Sequence, residues 1–509
     1  MKNIYLSVFS LMLVIGASSC NDLLEQSDPN AVTVDDYFKT ENDIQLAVNG
    51  IYQSLRSSDA VGENSGLYTD ERSDDTGTND NQSNSGEPFQ FNNFSLLPSN
   101  TWLKNHWNAL YQTITRSNIV LSNIDNITFS DAENKAKLTA EAKFLRAYIY
   151  FQLVRKWGDV PLVTKQLKTT EEITMFTARV KKEEVYNQIV SDLKDVIASP
   201  LANLQTGANV GRVSKAAGNA LLGQVYLTMA TTLDQSGKAA NLASAKTYLE
   251  AAYAMKTFGS LKEIPYTDVF DVAKKSTCPE LIFQIVNKQG DLNYSSTIAA
   301  TTQAKGETIN SLKPSTGTGT NVTHDLVNDY EKGDLRKDFS IKYASDVTVQ
   351  DWFITKFRDA STTAGVNGYG GNDWVLIRYA DVILMLAEVN MYLGNDTQAI
   401  TYLDMVRERA KMPAYAVSKL DASYSSKYPT LKLAILHERR VELAFEHHRW
   451  FDLLRTFTTQ ELMSYMQSKN QQDFGNAKLS NFSLKDRYYP IPFDENKLDP
   501  VKMYQNEGY

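Results

Sequence analysis

Apolar residues recur at three- and four-residue steps along most of this chain, and two long polar stretches interrupt them. The clearest run covers residues 140–157, where Phe144, Ala147, Phe151 and Val154 share one face of a helix. Gly158 ends that pattern, and Pro161 prevents its resumption. Similar periodicity predicts helices over 36–55, from Trp102 onward through Trp107, Tyr111, Ile114 and Asn118, and over 182–198, where Val185, Ile189, Leu193 and Val196 face inward. A last long helix is predicted over 431–455, followed by a non-repetitive tail.

Two helix pairs look like repeats. Leu222-Gly223 and Tyr226 are followed by Ala245, Leu249 and Ala252; Leu386-Ala387 and Asn390 are followed by Ala399, Leu403 and Val406. The second pair has the spacing of a ~34-residue tetratricopeptide unit, and the first carries about ten extra residues between its helices. Small residues at these positions let two helices approach closely, and each unit needs neighbours to bury its face. The polar interruptions are 57–100, rich in Ser, Gly, Asn and Asp, and 259–373, in which 282–285 and 353–357 are candidate strands and 301–322 is rich in Thr, Gly and Ser. Loops this long usually carry function. The expected fold is therefore mostly α, a scaffold of tetratricopeptide-like helix pairs with two long irregular insertions.

The N-terminus reads differently. Lys2, an apolar run over 4–15 and the small residues Gly16-Ala17-Ser18-Ser19 make a signal leader over 1–19, ending at Cys20. A cysteine at that junction is the pattern of a bacterial lipoprotein signal, in which the thiol is acylated. Residues 21–34 would then be a polar tether, and 20–509 a single mature domain. The leader is shorter than a membrane span of about 20 apolar residues, and no later segment is apolar enough to be one. Cys278 is the only other cysteine, so with Cys20 acylated no intrachain disulfide can form. The net charge of −8 argues against nucleic-acid binding, which needs a basic face.

Catalysis finds little support. Among 60 Asp and Glu residues no pair stands out as a glycosidase acid and nucleophile. His437-Glu438-Arg439-Arg440-Val441 fails the HExxH pattern at its last position, and neither GxSxG nor a P-loop occurs. His447-His448 would diverge by about 100° around a helix and suit one metal poorly. The stretch Asp70-Glu71-Arg72-Ser73-Asp74-Asp75 offers oxygen ligands for calcium but lacks EF-hand spacing, and is expected to be a solvated loop. No cofactor or metal is expected. Tyr68, Phe89, Phe91, Phe94 and Tyr294 lie in irregular polar segments, where stacking on a ligand competes with packing into a hydrophobic cluster beneath the loop.

Four blocks together resemble the SusD/RagB family of outer-membrane nutrient-binding lipoproteins. They are Ala140-Glu141-Ala142-Lys143-Phe144-Leu145-Arg146-Ala147-Tyr148 with Trp157-Gly158-Asp159-Val160-Pro161-Leu162; Arg378-Tyr379-Ala380-Asp381 through Glu388; Glu438-Arg439-Arg440-Val441-Glu442-Leu443-Ala444-Phe445-Glu446 with His448-Arg449-Trp450-Phe451-Asp452-Leu453; and Tyr489-Pro490-Ile491-Pro492 with the terminal Gln505-Asn506 and Gly508-Tyr509. The resemblance implies four tetratricopeptide-like helix pairs packed against a TonB-dependent transporter of the SusC kind. It implies a lipid-anchored lid, tied at Cys20 to the outer membrane, that captures glycans, or in some members peptides, without bond chemistry. A tetratricopeptide-type protein-interaction scaffold is the alternative from another class. The charges of the third block are expected to pair within or between helices. By position in the family, the ligand surface falls on 57–100 and 259–373. The candidates there are Tyr68, Asp70, Phe89, Phe91, Asn92, Asn93, Phe94 and Tyr294, with Trp352 and Tyr369 added. Aromatics would stack on a sugar face, and Asp70, Asn92 and Asn93 would bond its hydroxyls.

Overall fold

The structure, a computed structural model, describes residues 37–77, 86–233, 235–315, 321–345 and 350–509. The expected leader, the acylated Cys20 and the tether over 21–34 lie outside the described residues.

The scaffold is a run of helices: α1 (Glu41–Leu55), α2 (Thr101–Asn123), α3 (Ala132–Trp157), α4 (Lys182–Ala198), α5 (Lys215–Thr232), α6 (Lys238–Ala254), α7 (Tyr379–Tyr392), α8 (Asp396–Arg409), α9 (Leu431–Glu442) and α10 (Arg449–Thr456). From α1 to α8 each helix packs on the next, so four consecutive pairs stack side by side, and α9 closes the array against α7 and α8. Local chemistry sets the ends. Thr40 and Asp43 close a capping box that starts α1 at Glu41, five residues after the predicted start. Gly158, at φ +74°, ends α3 in a conformation that L side chains resist. The extra residues of the first repeat pair are helix rather than loop: α5 and α6 are 18 and 17 residues long, against 14 each for α7 and α8. Their contact is close. A Cβ on Gly223 would sit 2.5 Å from Leu249 Cγ.

The strands belong largely to the insertions: β1 (Thr76–Gly77), β2 (Val160–Pro161), β3 (Arg179–Val180), β4 (Leu281–Ile285), β5 (Asn321–Val322), β6 (Ile341–Ala344), β7 (Asp351–Ile354) and β8 (Trp374–Arg378). One sheet has the order β1-β5-β7-β6, which joins the first insertion to the second. A separate antiparallel pair, β4 with β8, sets Leu281 opposite Arg378 and Ile285 opposite Trp374. The candidate strand over 353–357 stops at Ile354, because Lys356 turns inward to Glu446 at 2.6 Å. The tail is a clamp: Asn506 Nδ2 donates to the carbonyls of Trp157 at 3.0 Å and Tyr489 at 2.7 Å.

The predicted helix over 431–455 is two helices. Between α9 and α10 the chain turns through Phe445 and His447, both at positive φ, near 65°. Such residues cost about 1–3 kcal/mol each and persist only where surrounding structure holds them. Here ion pairs hold them. Glu446 in the turn accepts from Arg378 and Lys356, and Arg449, just beyond it, makes two bonds to Asp74 at 2.7 and 2.9 Å. His447-His448 therefore sits in this turn, not on a helix.

Charges converge on α9. Glu438 accepts from Arg336 and Arg407, Glu442 from Arg336, Arg378 and Arg409, Arg439 pairs with Asp381 and Asp452, and Arg440 with Asp74, Asp75, Asp325 and Asp329. Most partners come from other elements, and the α9 members are buried. Hence 70–75 is not a solvated loop. Asp74, Asp75 and Arg72 are fully buried, and Arg72 lies 4.7–5.3 Å from the rings of Phe94, Trp450 and Tyr489.

Burial by itself would raise the carboxyl of Glu446, but Arg378 and Lys356 outweigh it and hold it at about 2. Arg439 and Arg455 do the same for Asp452, also at about 2. Both folded values lie below the unfolded ones, so this stabilisation is complete above about pH 4.5 and is lost as pH falls toward 2. Urea denaturation across that range will show stability declining with acid. At neutral pH, Arg440→Met removes the close partner of buried Asp75 and one partner each of Asp74, Asp325 and Asp329, and will cost about 3–5 kcal/mol. Lys104→Met, which removes the exposed pair with Asp494, will leave the urea midpoint of the same assay essentially unchanged.

Candidate functional site

Where the two insertions meet above the end of α1, they enclose a cleft in two connected parts. One, about 440 Å³, is lined by Arg56, Ser58, Asn64, Asn287, Asn293 and Thr297. The other, about 370 Å³, runs past Tyr52, Arg212, Val286 and Tyr294. Gln53, Arg56, Ile285 and Asn287 line both.

The cleft is built by cross-insertion bonds. Arg56, one residue past α1, donates to the carbonyls of Val286 at 2.7 Å and Ser295 at 3.5 Å. Glu63 accepts from the Thr297 backbone N–H at 2.6 Å, from Ser296 Oγ at 2.5 Å and from Asn287 Nδ2 at 3.4 Å. Burial raises the Glu63 carboxyl, while those donors and Arg56 oppose the shift. With both oxygens so engaged, Glu63 joins the insertions. Asn64 Nδ2 donates to Thr297 Oγ1 at 2.9 Å, and Arg212 pairs with Glu141 on α3 at 2.6 Å.

Tyr294 stands at the edge of this cleft, 50% exposed, with its ring 5.8 Å from the Arg56 guanidinium. Its loop is fixed by backbone bonds, with the Lys288 N–H donating to the Tyr294 carbonyl at 2.8 Å and the Gly290 N–H to the Tyr369 carbonyl at 2.8 Å. The ring is thus held open to solvent on an anchored loop. The cleft offers hydroxyls, amides and the guanidiniums of Arg56 and Arg212, groups that bond sugar hydroxyls or carboxylates, beside the apolar side chains of Ile285 and Val286.

Most of the other predicted contacts lie elsewhere. Tyr68 and Phe91 are core residues: Tyr68 stacks on His106 at 3.9 Å, and Phe91 packs edge-on against Tyr68 and Tyr489. Phe94 is buried against Trp450 and Phe482. Asp70 is buried and accepts from the His447 N–H, and Asn92 is buried and donates to the Glu71 carbonyl. These five are corrected from ligand contacts to packing. Their neighbours come from α2, the α9–α10 turn and the C-terminal tail, which local sequence does not reveal. Asn93 is half-buried and binds the tail through Lys478 and Asn481. Phe89 and Tyr369 are half-buried and outside the cleft lining. Trp352 lies on β7 directly opposite the exposed Tyr343, also outside that lining.

Sequence reasoning missed Arg56, Asn287, Asn293, Thr297 and Arg212. Arg56 carried a positional signal, since it follows the first helix directly; Asn293 and Thr297 flank Tyr294. Nothing marked Arg212. A larger cleft, about 730 Å³, lies between 328–332 and 412–428. Its acids Asp329 and Glu331 are already bonded to His437, Arg440 and Arg407. Among the described residues no group of three His, Cys, Asp or Glu side chains is placed to hold a metal ion, and no helix is long and apolar enough to cross a membrane.

Known proteins share this sequence and this fold. The profile of the SusD family matches residues 340–509, and one described as starch-binding associating with outer membrane matches residues 22–227. SusD-like protein P2 of Formosa agariphila is 27% identical over 98% of both chains. A solved laminarin-binding SusD-like protein superposes with a TM-score of 0.72 at 25% identity, over 93% of this chain and all of that one. Surface glycan-binding protein A from Bacteroides thetaiotaomicron, solved with laminarihexaose, gives 0.73 at 21% identity, over 92% of this chain and all of that one.

Core and cleft aromatics separate by stability. Phe91→Ala will cost about 3–5 kcal/mol. Tyr294→Ala will stay within about 0.5 kcal/mol of wild type in urea denaturation.

Proposed function

Because this chain belongs to the SusD family, we propose that it captures an oligosaccharide in the cleft around Arg56 and Tyr294 and delivers it to a TonB-dependent outer-membrane transporter of the SusC kind, which it covers as a lid. One observation carries the proposal. The half-exposed ring of Tyr294 is held beside a guanidinium, in the more apolar part of a cleft whose adjoining part is lined by amides and hydroxyls. A flat apolar face suits the C–H side of a pyranose, and the polar walls suit its hydroxyls. The cleft is large enough for a few sugar units but not for a long chain along its whole length. The laminarin-binding relative makes a β-glucan fragment the first ligand to try.

The protein is tied to the outer membrane by acylated Cys20, with 21–34 as its tether. The helical scaffold faces the transporter, and the insertions face the incoming nutrient. No bond chemistry is assigned to the cleft, since the carboxylate that lines it, half-buried Glu63, spends both oxygens on joining the loops.

A glycan array with laminari-oligosaccharides, on protein beginning after Cys20, will return binding. Tyr294→Ala will weaken it about tenfold, equivalent to ~1.4 kcal/mol. An array that is silent while peptides bind would replace the sugar with a peptide and leave the lid role. Binding only to a partner protein, unaffected by Tyr294→Ala, would favour the interaction scaffold. Cys20→Ala will move the protein from the membrane to the soluble fraction without changing ligand affinity.

A further inference from the structure

Beneath the first insertion, a small enclosed cavity of about 40 Å³ lies between that insertion, α3 and the α9–α10 turn. Thr69, Gln152, Arg155, Lys156 and His447 line it, and Trp374 separates it from the cleft of Arg56. Its walls carry positive charge that no side chain answers.

Lys156 is 2% exposed. Its Nζ has one partner, His106 Nε2 at 2.8 Å. His106 Nδ1 lies 2.6 Å from the Asp59 carbonyl and so carries the ring proton, which leaves Nε2 as an acceptor. Lys156 is therefore the donor, and its ammonium has two protons left over. Arg155 is similar. Its Nε donates to Phe151 O within its own helix, and its guanidinium lies between the rings of Phe151 and Phe451, at 3.9 and 3.6 Å. Among the described residues neither cation has a carboxylate within ion-pairing distance. Glu446 borders the cavity, but Arg378 and Lys356 occupy both its oxygens. Asp70 accepts from the His447 backbone, and burial pushes its carboxyl toward the neutral form. Thr69, which also lines the cavity, has its Oγ1 buried without a hydrogen-bond partner.

We propose that this cavity binds a small monovalent anion, chloride or its like, held by the Lys156 ammonium, the Arg155 guanidinium and the Thr69 hydroxyl. A site of this volume exceeds the ~10–15 Å³ that one water needs and admits a single halide. Burying a cation without a counter-ion costs several kcal/mol, and the anion offsets that cost. It also satisfies Thr69 Oγ1. With the cavity filled by water alone, burial depresses the Lys156 pKa and favours the neutral amine. Occupancy ties the first insertion to α3 directly below the ligand cleft, so the anion would stiffen the floor of that cleft. The inference rests on the interior of the fold and stands whether or not the cleft binds sugar.

Crystals of the wild-type protein grown in sodium bromide test it directly. An anomalous peak in contact with Lys156 Nζ is expected; water-like density there, with no anomalous signal, overturns the proposal. In thermal melts at constant ionic strength, replacing gluconate by chloride will raise Tm by about 2 °C once chloride is tenfold above its Kd. Lys156→Met will remove that chloride dependence, whatever its own Tm. Coincident wild-type melts in the two salts overturn the proposal without recourse to any variant.

Discussion

Buried charge on α9 is the constraint around which the molecule is assembled. Glu438, Arg439, Arg440 and Glu442 lie on one short helix, and none of them faces water. Each reaches a different part of the chain: Arg336 from the second insertion, Arg378 at the mouth of α7, Arg407 and Arg409 on α8, Asp74 and Asp75 from the first insertion, Asp452 on α10. A charge in the interior is tolerated only when paired and bonded. Each segment must therefore arrive in register before any one pair is complete. The pairs join α9 to both insertions, to α8 and to α10. The two left-handed residues between α9 and α10 are the local strain accepted for that geometry.

The cleft follows from the same constraint. Arg440 and Arg449 pin the first insertion at Asp74 and Asp75, Glu438 and Glu442 pin the second at Arg336, Arg378 pins it at Glu280, and the two are thereby brought edge to edge. Arg56 and Glu63 complete the seam. Its walls are held by backbone and side-chain bonds on both sides, which limits the ordering cost a ligand must meet. Loops on a rigid scaffold commonly carry binding, and these are anchored more firmly than their polar composition suggests.

Legibility in the sequence tracked the range of the forces involved. The helix over 182–198 was readable to the residue, because the 3.6-residue period is local. Gly158 was readable as a stop for the same reason, and Gly223 as a point of close helix approach. Tyr294 was readable as lying in an irregular polar segment, and its ring is half exposed at the cleft. The helix over 431–455 was misjudged because its periodicity continues through Phe445 and His447, while ion pairs from distant segments break it. Asp70 to Asp75 resembled a solvated acidic loop, since nothing nearby in sequence announces Arg440 or Arg449.

By itself, the sequence determined the helical elements, their order, the family they belong to and the positions of the two insertions. All of these rest on period, punctuation and motif, which short stretches of chain contain. Only the tertiary structure decided which aromatics are buried, which stay open to solvent, and which charges answer one another. Phe91 and Tyr294 both lie in irregular polar segments, but one is covered by Tyr68 and by Tyr489 of the C-terminal tail while the other is left open. Burial is set by what packs against a residue from far along the chain, and no local pattern records it.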